Sequence, residues 1–171
     1  MNDNFNIPPA KFLPDTHVLQ PHVILGDEAF SLTTSMMKPY PQNQTIHDKT
    51  KAVYNYRHCR ARRTSENAFG ILCQYFRVFY TPTAIAPGAA DNLIVTACIL
   101  HYMLRNSKIS YPNEHLRSSP ELPKSNMTSL NTSSDRKPTL EAIRVRDTFK
   151  TYFNSTHGSV HWQESIVSRV T

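Results

Sequence analysis

The stretch Asn55-Tyr56-Arg57-His58-Cys59-Arg60-Ala61-Arg62-Arg63-Thr64-Ser65-Glu66-Asn67-Ala68-Phe69-Gly70-Ile71-Leu72-Cys73-Gln74-Tyr75-Phe76-Arg77 decides how the chain is read. Its first half is basic, with Arg57, Arg60, Arg62 and Arg63. Its second half is apolar, with Ala68, Phe69, Ile71, Leu72, Tyr75 and Phe76. Glu66 is the lone carboxylate at the join. Such an acid is either a salt-bridge partner for the arginines or a metal ligand beside a phosphate-binding face. Ala52, Val53, Tyr56 and Cys59 recur at helical spacing before it, and Phe69, Leu72, Phe76 and Phe79 after it. With Asp48 as N-cap, this spacing predicts one long helix, or two collinear ones, from about Lys49 to Phe79. Gly70 weakens it by roughly 1 kcal/mol relative to Ala, which suggests close packing there.

Outward from this helix, Val23-Ile24-Leu25 is a short run of β-formers closed by Gly26 and followed by Asp27. A continuous apolar run is typical of a strand buried on both faces, so a short buried strand is expected at about 22–26 and the fold class is α/β, mostly helical. Ligands collect at the C-terminal edge of such strands, where Asp27 falls. The alternative for Asp27 is an ordinary turn or N-cap residue. Residues 1–20 carry Pro8, Pro9 and Pro14 and read as an extended lead-in. Ser31–Met37 suggests a short helix, broken by Pro39 and Pro41.

Beyond the central helix, Leu93–Leu104 leaves little polar face, which predicts a helix from about Ala89 to Arg105 covered by other elements. Cys98 and His101 stand one turn apart in it. Two ligands make no zinc site, so a packed, hydrogen-bonded histidine is the expectation. Residues 107–138 are rich in Ser, Thr, Pro and Asn and read as a disordered linker. In 139–171, Ala142, Val145, Phe149 and Tyr152 or Phe153 form one stripe, with Arg144, Arg146 and Lys150 mostly off it. This amphipathic helix should dock on the core or on a partner.

The composition narrows the function. A net charge of +6 over 171 residues favours anionic partners. Three cysteines, Cys59, Cys73 and Cys98, without a Cys-x-x-Cys motif, argue against a disulfide framework and suit a reducing compartment. No apolar stretch reaches the ~20 residues of a membrane span, and no signal peptide is visible. Two carboxylates, one at a strand end and one on a helix, suit a two-metal phosphoryl-transfer site, since hard Mg²⁺ or Mn²⁺ takes oxygen ligands. Lys49, Lys51, Arg57, Arg60, Arg62 and Arg63 are the candidates for holding phosphates.

Four segments in order carry a resemblance: Val23 to Phe30, Met37-Lys38-Pro39-Tyr40-Pro41, Asn55 to Leu72 as quoted, and Ala97-Cys98-Ile99-Leu100-His101. Together they closely resemble the Harbinger/PIF-type DDE transposases and the nucleases derived from them. The likeness covers roughly Pro8 to Asn106. Phe149, Tyr152-Phe153-Asn154, Gly158 and Trp162-Gln163 look like the family's end. The resemblance implies an RNase H-like fold and a metal-binding Asp-Asp-Glu triad that cleaves DNA. Asp27 matches the second acid and Glu66 the third. Tyr102 departs mildly from the family's common Asn. Only Asp3 and Asp15 precede Asp27, too close to serve as the first acid on an earlier strand. The expectation is therefore a partial RNase H-like fold, the C-terminal part of the nuclease domain at 21–106, inactive alone. The strand at 23–25 would lack the family's first strand, its expected parallel partner, leaving an exposed edge. The family also implies DNA as partner, a separate DNA-binding protein as a second partner, and a nuclear location, with the cytoplasm as an additional one. The competing function is a non-catalytic DNA-binding or protein-interaction module derived from a transposase.

Overall fold

A computed structural model describes residues 6–81, 84–107 and 137–170. It is mostly helical with two small sheets, compatible with the α/β class. The first sheet pairs β1 (Lys11–Phe12) antiparallel with β2 (Leu19–Gln20). The lead-in is thus a hairpin rather than an extended arm. Leu13 and Val18 close its loop by a backbone bond of 2.9 Å, and Asp15 takes the positive φ of 56° at its tip. A short polar side chain tolerates this conformation, and the Thr16 hydroxyl supports the turn by donating to the Leu13 carbonyl at 2.9 Å.

The second sheet pairs β3 (Ile24–Leu25) with β4 (Met36–Met37) in parallel, in the register Ile24 to Met36 and Leu25 to Met37. One expectation is corrected here. Ser31–Met37 ends in a strand, not a helix, and this strand pairs in parallel with β3. The cause is local: the Thr33 hydroxyl accepts the Met36 amide at 2.9 Å and the Ser35 amide at 3.3 Å, and these side-chain turns compete with helical bonding. Both β3 residues are half-buried, not buried on both faces.

Helix α1 is the short Gln42–Thr45. Helix α2 runs from Lys49 to Tyr75, close to the expected span, and a 3-10 turn at Arg77–Tyr80 follows. Asp48 caps α2, accepting the amides of Thr50 at 3.0 Å and Lys51 at 3.3 Å, so the N-cap assignment holds. The inward face of its first half is Val53, Tyr54 and His58, of which only Val53 belongs to the expected stripe. Cys59 is exposed. Gly70 has nothing within 4 Å of where a Cβ would stand, so no close packing explains it.

Helix α3 spans Pro87–Asn106, α4 Leu140–Phe153 and α5 Gln163–Val170. Thr139 caps α4 through the Ala142 amide. The linker expected at 107–138 lies, but for its first and last residues, outside the described residues. Two compact units divide the chain. The first joins the described residues up to Arg63 with those from 137 on; the second starts at Thr64. In the first, Leu32, Met37 and Ala142 form the core, with Val23, Leu25, Ile143 and Val145 packed against it. Helix α4 therefore docks on the β3–β4 sheet, the first of the two outcomes its stripe allowed.

In the second unit, the expectation of a covered α3 fails. Only Ala97 is buried, while Ile94, Val95, Ile99, Leu100, Tyr102 and Met103 are exposed. Cys98 is exposed too, and His101 packs edge-on to Tyr75 with a buried Nδ1 that finds no hydrogen-bond partner among the described residues. The hydrogen-bonded core histidine expected there is an aromatic contact instead.

Candidate functional site

Asp27 sits two residues past the end of β3. Gly26 before it is buried; a Cβ there would meet the Met36 sulfur and two Phe30 carbons at 3.0 Å each. The missing side chain is what lets the chain fold back so tightly. Asp27 Oδ1 accepts the Ala29 amide at 3.0 Å, and its carbonyl accepts the Phe30 amide at 3.3 Å. It is thus a turn-forming aspartate, as the plainer reading had it. Its carboxylate is also exposed, so the turn leaves room for a second role. Glu66 is exposed on α2, in the second unit. Among the described residues no group of three or more His, Cys, Asp or Glu side chains could hold a metal.

The six basic candidates meet different fates. Lys49 is exposed and pairs with Glu164 of α5 at 3.4 Å. Lys51 lies 3.7 Å from Asp48, donates to Gln44 at 3.3 Å, and stands 5.4 Å from the Tyr40 ring. Arg57 turns inward. Its Nη1 donates to the Gly158 carbonyl at 2.9 Å and to Gln163 Oε1 at 3.2 Å, and its guanidinium lies 4.8 Å from the Phe153 ring. Arg60 is exposed, donating to the Tyr56 hydroxyl at 3.1 Å over a Trp162 ring 4.9 Å away. Arg62 is half-buried and Arg63 exposed. The basic half of α2 is therefore not one solvated face. Part of it clamps the C-terminal turn.

Several residues with structural weight had no place in the expected site. Asn55 reads the backbone of Tyr40 in both directions, accepting its amide and donating to its carbonyl, each at 2.8 Å. This is how a side-chain amide ties a helix to an extended segment. The Tyr40 hydroxyl donates to Asp147 at 2.5 Å. Its ring carries the Arg146 guanidinium at 3.9 Å, so Arg146, expected off the stripe, is in part buried. Burial, then the Asp147 bond, pushes the Tyr40 hydroxyl far above its ordinary range, and burial does the same for Tyr54. His58 is buried on α2, its imidazole on the Met37 carbonyl. The signal for it was available: Val53, Tyr54 and His58 share one helix face, and a histidine in such a face needs a partner.

A cavity of about 540 Å³ opens between the start of α2 and α5, lined in part by Ile46, Tyr56, Cys59, Ile166 and Val167. Neither acid lines it. Among the described residues no helix is long and apolar enough to cross a membrane.

No curated protein and no solved structure matches the chain. A family model, described as DDE superfamily endonuclease, matches residues 2–102. The match takes in the β3–β4 turn with Asp27 and the whole of α2 with Glu66. It spans more than half of the 171 residues, and the chain accordingly belongs to the DDE superfamily endonuclease family.

Proposed function

We propose that the chain is transposase-derived, of the Harbinger/PIF nuclease type, in which Asp27 and Glu66 are ligands of a divalent-metal site for DNA phosphodiester cleavage, with no cleavage expected from these two acids alone. The observation that carries this is the family match across residues 2–102, a span that contains both acids. An RNase H-like arrangement of residues 21–106 belongs to the same proposal, with 139–171 as a C-terminal element.

The donor chemistry fits. Two exposed carboxylates offer hard oxygen ligands, which suit Mg²⁺ or Mn²⁺ and disfavour softer metals. The chemistry a divalent ion supplies when bound at such groups is polarisation of a phosphoryl oxygen and activation of water near neutral pH. The protein's own part is orientation. The Ala29 amide holds one Asp27 oxygen in a fixed direction, leaving the carboxylate exposed. Glu66 is exposed on α2, in the second unit. Arg60, Arg63 and Lys49 are exposed and serve as phosphate contacts. Arg57 acts indirectly, holding the C-terminal turn against the helix. A nuclear location belongs to the same proposal, supported by DNA as substrate and by a net charge of +6.

The experiment is a Mn²⁺ titration followed by electron paramagnetic resonance on the full chain, with Asp27→Ala and Glu66→Ala alongside. Each substitution is expected to weaken binding by about tenfold or more. Equal affinity in all three proteins rejects the assignment.

A further inference from the structure

The turn that bears Asp27 is anchored to α2 through a single oxygen. His58 is only 3% exposed. Its Nε2 lies 3.2 Å from the Met37 carbonyl oxygen. A carbonyl can only accept, so Nε2 carries the proton and the tautomer is fixed by this partner. The same carbonyl accepts the Gly26 amide at 2.9 Å. Gly26 immediately precedes Asp27. Two donors thus converge on one acceptor, one from the helix and one from the end of β3. The neighbouring contacts leave Gly26 little freedom, with Met36 and Phe30 closed over it.

We propose that His58 is the positioning residue for Asp27: it holds the Met37 carbonyl, and through it the Gly26 amide, in the place that presents the Asp27 carboxylate to a divalent cation. The proposal rests on the reading of Asp27 as a metal ligand. His58 is not itself a ligand, since its Nε2 is engaged and its Nδ1 is buried without a partner among the described residues. The Tyr54 ring flanks the imidazole at 5.9 Å. Burial lowers the pKa of His58, and the Arg62 charge one turn on adds to this against the Met37 bond, which raises it. The imidazole is therefore favoured in its neutral form, and within that form the Met37 carbonyl selects the Nε2–H tautomer. A leucine would fill the space without a donor. A glutamine could set an N–H near the position of Nε2.

The test uses the full 171-residue chain and three readouts. Nitrogen-15 spectra of the wild-type imidazole should show the Nε2-protonated neutral form; the opposite tautomer overturns the proposal without any variant. Amide exchange of Gly26 is compared with that of Ala52, which bonds the Asp48 carbonyl at 3.1 Å and reports general loosening. In His58→Leu the Gly26 rate should rise about tenfold or more relative to Ala52. Mn²⁺ affinity should fall about tenfold, and His58→Gln should recover most of both. An unchanged Gly26 rate in His58→Leu overturns the anchor. Equal Mn²⁺ affinity in wild type and His58→Leu overturns the positioning role while sparing the metal reading. A glutamine variant as weak as leucine assigns His58 to packing alone. A wild type that binds no Mn²⁺ overturns the metal reading, and the role of His58 with it.

Discussion

Replacing Arg57 with alanine separates two roles that the sequence left mixed. A phosphate-contacting arginine can be removed with little effect on folding. The structure instead gives Arg57 two charge-assisted hydrogen bonds, 2.9 Å to Gly158 and 3.2 Å to Gln163, and a cation–π contact with Phe153. Hydrogen bonds from a charged group contribute about 1.5–3 kcal/mol each, and a cation–π contact about 0.5–1 kcal/mol. These share one side chain and do not add fully. Gln163 Oε1 also keeps the Val160 amide at 3.2 Å, which limits what the loss uncovers there. A net destabilisation of about 2–4 kcal/mol follows, or ~4–16 °C in midpoint for a chain of this size. Urea unfolding read by circular dichroism measures it. The companion assay is the salt dependence of duplex DNA binding, whose log–log slope changes by about 0.9 for each phosphate contact removed. Arg57→Ala should leave that slope unchanged, whereas Arg63→Ala should reduce it by about 0.9 with stability unchanged to within about 0.5 kcal/mol. If Arg57→Ala is as stable as wild type and shallower in slope, the internal role drawn for Arg57 is refuted.

Gly158→Ala should destabilise by about 1–3 kcal/mol, because its Cβ would stand 2.2 Å from the Tyr152 carbonyl oxygen, backbone that cannot swing aside; a urea midpoint equal to wild type contradicts this. Tyr40→Phe should cost about 1–2 kcal/mol at neutral pH through its bond to Asp147. Burial pushes the Asp147 carboxyl up, but the Tyr40 and Lys150 hydrogen bonds and nearby positive charges outweigh it, so the pKa is lowered in the fold. The unfolded chain then binds that proton more readily. The stabilisation is present above the unfolded value near about 3.9 and is lost as pH falls through the folded one, a dependence Tyr40→Phe should weaken. Identical acid limbs in stability against pH, measured from neutral to strongly acid solution, would count against it. Ile99→Ser on α3 should change stability by less than about 0.5 kcal/mol, since Ile99 is 55% exposed; a loss of several kcal/mol in calorimetry would mean that the helix is covered.

The long helix, its Asp48 cap and the amphipathic α4 were legible because each has a strong local signal: a 3.6-residue period and a capping side chain. The β-structure was less so. β4 is two residues long, too short for any period, and its neighbours Thr33 and Ser35 direct the chain through hydroxyl bonds that a hydropathy pattern does not register. The inward face of α2 was legible only at Val53, because Tyr54 and His58 are polar-tipped and Cys59 looks apolar. The α3 error has another cause. Hydrophobicity forecasts a need for cover, not its supply, and here Leu100 and Met103 stay exposed. At the site, the family motif located Asp27 and Glu66 as candidates. It did not tell that Arg57 faces Gly158 or that His58 shares an acceptor with Gly26, since both depend on which backbone carbonyls lie across from α2.

The docking of α4 on the β3–β4 sheet also sets when the first unit can exist at all. Met37 meets Ala142 across 105 positions of chain (142 − 37). Closing so long a loop costs roughly 4 kcal/mol of chain entropy beyond a constant, to be overcome before the apolar contacts can repay it. On a ribosome adding ~5–20 residues per second, the β-strands emerge about 5–20 s before the helix that covers them. During that interval Leu32, Met37 and Val23 have no apolar partner from α4. The first unit is therefore expected to fold late in synthesis, slowly and in one step. Truncating the chain before Leu140 should leave the early segment dependent on chaperones, because its core is completed from the far end of the sequence.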